Sequence, residues 1–304
     1  MKKFCIKLFI LFVLLVIMIG LIIFIPLPEN SYDLAIIDKH RVLAGTKSPK
    51  IVLAGGSNLA FGIDSEAIQN EFHIPVVNMG VHAGFGLGRI LHDISRFLQQ
   101  GDILLIIPEY DHFVNIWNGD GAAYELIILN VRQNHLLLSL YYGLPSGFSN
   151  YLYTHIVKIV KKTIDSSLFS YSRDGFNEYG DYIKHLGMTN QVFGTSASVG
   201  TINMTYINNF FKFIDDFTER GITVMLSYPC YQEGSFRNSI ELIQEVDKVF
   251  KSKENLLVIS TPVSYCFPTN YFFDTPYHLN IEGRSVRTKQ LIEDLRASIF
   301  HPNR

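Results

Sequence analysis

The chain has 304 residues, a formal net charge of −2 and no long block of like charges, which argues against a nucleic-acid-binding protein. Hydrophobic residues make up 48% of the sequence and charged residues 18%, an apolar balance to which the N-terminal segment contributes. The length suffices for one large domain or two small ones, and neither an internal repeat nor a low-complexity tract is evident.

Residues 1–28 predict a membrane anchor. Three lysines within the first seven residues precede an uncharged run from Leu8 to Ile25. As a helix, this run would rise about 27 Å, close to the roughly 30 Å hydrocarbon core of a bilayer. Because the lysines precede the run and acidic residues follow it, the positive-inside rule predicts a cytoplasmic N-terminus and an extracytoplasmic remainder. A cleaved signal peptide and a buried core helix are the alternatives. Residues 29–50 are predicted to form a juxtamembrane linker with a short helix.

Short apolar runs alternate with helical patterns through residues 51–304, which predicts an α/β domain with a five-stranded parallel sheet covered on both faces. The predicted strands are Ile51–Ala54, Pro75–Asn78, Ile103–Ile107, Ile222–Tyr228 and Leu256–Ser260. The predicted helices are Asp64–Phe72, Gly86–Leu98, Asn203–Arg220, Asn238–Lys251 and Ile281–Phe300. In such sheets, ligands bind beyond the carboxyl ends of the strands.

The alternation is interrupted between residues 113 and 201, a stretch too long for a loop without structure of its own. Tyr124 to Ile164 is rich in Leu, Ile and Tyr and is predicted to be largely helical, with a break at Gly143-Leu-Pro145. We interpret residues 113–201 as a helical insertion. It could cover the site as a lid, rest on the membrane, or simply contribute to the core.

Two segments at the predicted sheet edge suggest nucleophilic chemistry. Ser57 follows a Gly-Gly turn at the end of the first strand, in IVLAGGSNLAFG. Asp274 and His278 lie four residues apart in FFDTPYHLN, before the final helix, with Pro276 rigidifying the turn. A serine hydroxyl needs a base to take its proton, and the base is usually a histidine oriented by a carboxylate. The alternatives are a turn serine and a structural surface turn. A nucleotide site is disfavoured because neither GxGxxG nor GxxxxGK follows the first strand.

The order and local sequences of these segments resemble the SGNH/GDSL hydrolase superfamily, over roughly residues 48–112 and 202–298. They are most similar to membrane-anchored bacterial members with GGSN in the first block and DTxYHLN in the last. A more distant resemblance is to the teichoic acid D-alanyl transfer protein, which shares the N-terminal anchor. The resemblance implies a flavodoxin-like, three-layer α/β/α fold. It also implies Ser57 as the nucleophile, His278 as the general base and Asp274 as its orienting group.

The resemblance further implies an oxyanion hole built from the backbone N–H groups of Ser57 and Gly80, since glycine lets backbone approach a ligand closely. Gly80 is equally well explained as an ordinary turn residue. Three departures stand out: Gly56 replaces the usual aspartate, the final block has one extra residue, and IIPEYDHF lacks the expected asparagine of the third block. Asn58 or Asn177 is a candidate substitute for that asparagine.

Further polar residues are candidates for substrate binding, each with a structural role as the alternative. They are His82, Glu109, Asp111, Arg173 and Asn177, the last two in the polar and aromatic stretch 171–187, which also contains Asp181 and His185. Cys230 and Cys266 each follow a predicted strand, and could form a disulfide in an exported domain or stay free. No Cys/His spacing indicates a metal site, and no cofactor is expected.

From the resemblance and the anchor, we expect a serine esterase or O-acyltransferase acting on acyl esters of an extracytoplasmic glycan or cell-envelope polymer. Hydrolysis and transfer use the same triad, so the residues do not separate them. Two alternatives remain. One is an inactive relative that binds envelope glycan through the same cleft, and the other is a scaffold whose apolar insertion docks on a membrane acyl-transfer partner.

Overall fold

The computed structural model describes residues 1–132, 147–164 and 171–300. Its centre is a five-stranded parallel sheet with the order β2-β1-β3-β4-β6, the order of doubly wound flavodoxin-like folds. The predicted α/β fold is therefore confirmed. The strands of this sheet are β1 (Ile51–Gly55), β2 (Val76–Asn78), β3 (Ile103–Ile107), β4 (Thr223–Leu226) and β6 (Leu257–Val258).

Alternation of side chains along β1 divides the core into two hydrophobic clusters. Val52 and Ala54 belong to the larger cluster, whereas Ile51 and Leu53 belong to the smaller one on the other face. All four side chains are fully buried. Because both faces of the strand are covered, the run is continuously apolar, which is the pattern that predicted a parallel sheet.

Eleven helices are present in the described residues, and the predicted ones agree with the structure to within a few residues at each end. The helices are α1 (Lys2–Phe24), α2 (Ala35–Gly45), α3 (Ser57–Gly62), α4 (Ser65–Phe72), α5 (Leu87–Ser95), α6 (Ala123–Arg132), α7 (Phe148–Ile164), α8 (Met204–Glu219), α9 (Glu233–Asn238), α10 (Ile240–Lys251) and α11 (Ile281–Phe300). Short 3-10 turns also occur, among them Tyr32–Leu34 and Tyr110–Phe113.

Three short elements were not predicted: α3, α9 and a small parallel ladder of β5 (Tyr231–Gln232) with β7 (Cys266–Phe267). The ladder sets Cys266 opposite Tyr231, next in sequence to Cys230. Both cysteines are free thiols in the structure, so the possible disulfide is not formed. Burial raises the pKa of the Cys230 thiol to about 12.

The N-terminal helix α1 stands apart from the core. Residues Lys2–Ile23 are long and apolar enough to cross a membrane, and none of the most apolar part is buried against the rest of the chain. The structure thus has one candidate membrane anchor among its described residues. A core helix would be largely buried, so that alternative is disfavoured.

The insertion contributes the helices α6 and α7, and its predicted break at residues 143–145 lies outside the described residues. Its return segment is fastened by Asp181, a fully buried carboxylate. Asp181 accepts hydrogen bonds from the backbone and hydroxyl of Ser65 at 2.8 and 2.6 Å, from Asn78 at 2.9 Å, and from Arg284 at 3.2 Å. Charge-assisted bonds of this kind satisfy the buried charge and tie the return segment to α4, β2 and α11.

The linker after α1 is fixed to the domain by Lys39 of α2. The Lys39 side chain is buried, and its ammonium donates to three backbone carbonyls: Asn78 at 2.9 Å, Gly80 at 2.5 Å and Gly180 at 2.5 Å. An ammonium has three N–H donors, so each of them has a partner. The linker therefore packs as part of the domain and is joined directly to the loop after β2.

Candidate active site

Ser57 begins α3 immediately after β1, at the carboxyl edge of the sheet. The two preceding glycines are required by crowding: a Cβ at Gly55 would lie 2.3 Å from the Ile107 carbonyl oxygen, and one at Gly56 would lie 2.5 Å from Oε1 of Glu109. The chain can therefore turn sharply here only without side chains. The Ser57 side chain remains partly exposed, as a nucleophile must be.

Glu109, which follows β3, places its carboxylate beside Ser57. Its Oε1 atom accepts hydrogen bonds from the backbone N–H of Asn58 at 3.2 Å and from the Asn58 amide at 3.2 Å, and lies 3.5 Å from the Ser57 hydroxyl. Glu109 occupies the space that a side chain at position 56 would need. This accounts for a glycine at position 56, where the resemblance noted in the sequence implied an aspartate.

Burial dominates the electrostatics of Glu109 and raises the pKa of its carboxyl to about 7, although the hydrogen bonds from Asn58 oppose the shift. A carboxyl in low dielectric favours its neutral form. Near neutral pH, Glu109 therefore exists in both protonation states beside the Ser57 hydroxyl. The sequence predicted Glu109 as a substrate-binding residue, whereas the structure sets it against the candidate nucleophile.

Asp274 and His278 form a hydrogen-bonded pair in the loop before α11. The Asp274 Oδ1 atom lies 2.9 Å from Nδ1 of His278, so one extra residue between them still permits the contact. Asn280 caps the helix that follows, accepting from the Gly283 N–H at 3.0 Å. With the proton on Nδ1 donated to Asp274, the Nε2 atom of His278 is left as an acceptor.

Two aromatic residues hold the imidazole. Phe61 of α3 stacks on the His278 ring with centroids 4.0 Å apart and an interplanar angle of 9°. The Tyr171 hydroxyl donates to Oδ2 of Asp274 and lies 3.2 Å from Nδ1 of His278. Burial lowers the pKa of His278, against the opposing effect of Asp274. The base is therefore oriented and favoured in its neutral form.

Ser57 and His278 are brought to the same edge of the sheet through α3, which begins with Ser57 and contributes Phe61. Among the described residues, the Ser57 hydroxyl has a hydrogen bond to Glu109 and none to His278. The structure thus presents two adjoining groups, Ser57 with Glu109 and His278 with Asp274 and Tyr171. For the two groups to act together, the Ser57 hydroxyl would have to come within hydrogen-bonding distance of His278 when a substrate binds.

The predicted oxyanion donors differ in their contacts. The Gly80 N–H donates to Oδ1 of Asn78 at 2.9 Å, and the Asn58 amide donates to Glu109 and to the Ile107 carbonyl at 3.3 Å. Both groups are therefore already used within the protein. The backbone N–H of Ser57 makes no hydrogen bond in the part of the chain that the structure describes, so it is the better placed donor.

The other residues predicted to bind substrate lie around the carboxyl edge of the sheet and beyond it. His82 is exposed and accepts from the Gly84 N–H at 2.9 Å, while burial raises the pKa of Asp111, which Ser198 contacts. Arg173 forms a two-point ion pair with Asp38 of α2, at 2.5 and 2.7 Å.

Asn177 accepts from the Tyr179 and Asp181 N–H groups at 3.1 and 2.8 Å. The side chains of Arg173 and Asn177 thus organise the return segment, and neither contacts Ser57. His185 also has a structural contact, to the Leu279 carbonyl at 2.8 Å.

Sequence reasoning missed Tyr171 as part of the site. Tyr171 begins the polar and aromatic stretch 171–187, but nothing in the sequence indicates which of its side chains reaches Asp274. For the contact between Glu109 and Ser57, the available sequence signal was the glycine at position 56. A glycine next to a candidate nucleophile leaves space for a neighbouring side chain, which here is the Glu109 carboxylate.

A cavity of about 330 Å³ adjoins the site. His82 and Tyr171, which contacts His278, line it together with four residues of α7: Asn150, Tyr151, Thr154 and Lys158. The other lining residues are Ser31, Tyr32, Asp33, Asp120, Gly121, Ala122 and Glu125. Polar and apolar atoms both line this cavity. In the described residues, no cluster of three or more His, Cys, Asp or Glu side chains could hold a metal ion.

No protein-family model matches the sequence, and no curated protein matches it. Among solved structures, the chain is similar to one from Streptococcus pneumonia that is provisionally named a platelet activating factor. The two share 12% sequence identity at a TM-score of 0.44, over 86% of this chain and 91% of that one. A likeness at this level does not indicate what the chain does.

Proposed function

We propose that the protein is a membrane-anchored serine esterase or O-acyltransferase of the SGNH type, acting on acyl esters of an extracytoplasmic glycan or envelope polymer. The observation that carries the proposal is the Asp274–His278 pair, 2.9 Å between Oδ1 and Nδ1, stacked on the short helix that Ser57 begins. A nucleophile, a base and an orienting carboxylate at one sheet edge are the parts of an acyl-transfer site.

In the proposed mechanism, the Ser57 hydroxyl oxygen attacks the ester carbonyl and its proton passes to Nε2 of His278. The carbon–oxygen bond to the leaving alcohol then breaks, and the alcohol takes that proton. Water or a sugar hydroxyl next attacks the acyl-enzyme, giving its proton to His278. The Ser57 oxygen then leaves with a proton, which regenerates the enzyme. Asp274 keeps the imidazole oriented in both halves of the reaction.

The transition state carries negative charge on the former carbonyl oxygen, and the groups around Ser57 determine whether that charge is tolerated. The Ser57 N–H is the candidate donor. Glu109 lies at the same place, so its neutral form is compatible with the developing oxyanion and its ionised form opposes it. The raised pKa of Glu109 therefore supports activity on the acidic side of neutrality.

The alternative function is a glycan-binding protein without catalysis. The observation that favours it is the pairing of the Ser57 hydroxyl with Glu109 rather than with His278. In this alternative, the cavity beside Tyr171 would bind the ligand and Ser57 would be a turn residue. Reaction of Ser57 with a fluorophosphonate is expected only of the enzyme, so it separates the two functions.

The test is reaction of the full chain in detergent with a fluorophosphonate, followed by intact mass measurement. We expect one adduct on the parent and none on Ser57→Ala or His278→Ala. Ser252→Ala, which removes an exposed hydroxyl at the end of α10, should react like the parent. No adduct on a folded parent, or an adduct that persists in Ser57→Ala, would contradict the proposed mechanism.

A further inference from the structure

Helix α7 is amphipathic, and its outward face is apolar. Tyr153 is 68% exposed, Ile156 41% and Val160 43%. Their spacing of three and four residues puts the three side chains on one face of the helix. We call Tyr153, Ile156 and Val160 the outer face of α7. Exposing such a row to water is unfavourable, by roughly 25 cal/mol for each Å² of apolar surface.

Helix α7 packs against the end of the candidate membrane helix through residues outside its outer face. Ile23 of α1 packs into a cluster with Tyr124, Tyr151 and Leu152. One ring nitrogen of His155 lies 3.2 Å from the Ile25 carbonyl oxygen, and the other lies 2.8 Å from Glu125. Tyr153 and Ile156 are the sequence neighbours of residues that touch the last turn of α1.

The depth of α7 follows from the length of α1. Its 23 residues rise about 34 Å, slightly more than a hydrocarbon core of roughly 30 Å. The end of α1 therefore coincides with the boundary between lipid tails and headgroups. Side chains packed on Ile23 lie at this boundary, where tyrosine is enriched and amphipathic helices rest in the plane of the membrane.

A second face of α7, distinct from the outer face, lines the cavity. Asn150, Thr154 and Lys158 line the same cavity as His82 and Tyr171. Lys158 also pairs with Asp33, which follows α1. The same helix therefore lines the cavity and contacts the end of α1.

From these contacts, we propose that the outer face of α7 is seated in the lipid bilayer interface, so that the cavity opens toward the membrane surface. The occupant of this face is lipid, because α1 and α7 are joined in one packed cluster and α1 is the candidate span. Resting on the proposed function, the site would then act on acyl esters presented at the membrane, such as a glycan still attached to a lipid.

The test of the lipid contact uses tryptophan fluorescence in the full chain, reconstituted into phosphatidylcholine vesicles with or without brominated acyl chains. The native Trp117 is fully buried and provides the baseline. Tyr153→Trp and Ile156→Trp each add one reporter on the outer face. Glu254→Trp is the matched control, because this exposed position precedes β6 and lies at the sheet edge opposite the site.

We expect brominated lipid to quench the two α7 reporters strongly and to leave Glu254→Trp at the level of the parent. Equal quenching at positions 153, 156 and 254 would overturn the proposal and leave the outer face for a membrane protein partner. Because quenching needs no substrate, its result is independent of whether the chain is an enzyme.

A second measurement tests the consequence for substrate. Ile156→Glu should lower the turnover of an acyl ester embedded in vesicles by about tenfold, since a charge disfavours insertion at the interface. Turnover of a short water-soluble ester should stay within about twofold, because Ile156 does not line the cavity. An equal loss on both esters would contradict presentation at the membrane, and no turnover of either ester by the parent would count against the proposed function alone.

Discussion

The ring of Phe61 lies parallel to the imidazole of His278, with centroids 4.0 Å apart. Phe61 is fully buried and belongs to the helix that begins with Ser57. The stack therefore fixes the candidate base relative to the candidate nucleophile without a direct bond between them. Offset and stacked aromatic pairs contribute about 0.5–1.5 kcal/mol beyond their buried area.

Replacing Phe61 by leucine should slow fluorophosphonate labelling of Ser57 by about tenfold, because the imidazole loses the surface that orients it. Stability should also fall, by about 1–3 kcal/mol. Phe210→Leu is the control, since Phe210 is equally buried but packs on Phe113 and Phe250. If both variants label at the same rate, the stack has no positioning role.

Tyr171→Phe removes the hydroxyl that bonds to Asp274 and lies near His278, and it keeps the ring. We expect labelling to fall by about tenfold while the free energy of unfolding changes by only about 1 kcal/mol. Tyr179→Phe, in the same segment, loses a bond from Gln69 at 3.4 Å instead and should label normally. A Tyr171→Phe variant as reactive as its parent would exclude the hydroxyl from the site.

The rate of labelling should follow a bell-shaped pH profile. Its acid limb reports His278, whose pKa is lowered by burial, so the base stays neutral and active below the ordinary histidine value of about 6.5. Its alkaline limb reports Glu109, with a pKa of about 7. As the pH rises past this value, the carboxylate becomes charged beside the forming oxyanion and the rate should drop.

Glu109→Gln keeps the shape of the side chain and removes its titration, so the alkaline limb should vanish while the acid limb stays in place. Glu66→Gln, at an exposed position of α4, should reproduce the parent profile. An alkaline limb that persists in Glu109→Gln would assign that ionisation to another group.

Gly56→Ala should destabilise the fold and suppress labelling, because the added Cβ would lie 2.5 Å from Oε1 of Glu109 and 2.9 Å from the Ala83 Cβ. Shortening the carboxylate in Gly56→Ala/Glu109→Ala should recover part of the lost melting temperature. Gly187→Ala, where no atom lies within 4 Å of the new Cβ, is the neutral control. A double variant no more stable than Gly56→Ala would place the conflict at Ala83 alone.

The strand–helix alternation was sufficient to predict the sheet, because a short, continuously apolar run such as Ile103–Ile107 between two helical patterns is typical of a strand buried on both faces. Ser57, Asp274 and His278 could be selected as candidates because they lie in short local patterns, and their catalytic roles stay a prediction. Their grouping at one edge follows from the direction of parallel strands. Assignment of the chain to the SGNH superfamily stays a proposal.

The sequence was less informative where contacts join distant segments. The bond between Tyr171 and Asp274 spans about a hundred positions, and it depends on how the insertion returns to the domain. The hydrogen bonds of Gly80 and Asn58 likewise depend on neighbours that no local pattern specifies. Glu109 was singled out in the sequence, but its contact with Ser57 depends on the register of β3 against β1.

Lys39 affects how freely the domain can move relative to α1, the candidate membrane helix. A domain on a loose tether would sample a wide range of heights and orientations. Here, Lys39 of the linker donates to carbonyls at the end of β2, in the loop after it and in the return segment of the insertion, so the linker is held against the domain at several separate points. If α1 spans a membrane, this attachment restricts the range of heights above the lipid at which the Ser57 hydroxyl can meet an ester.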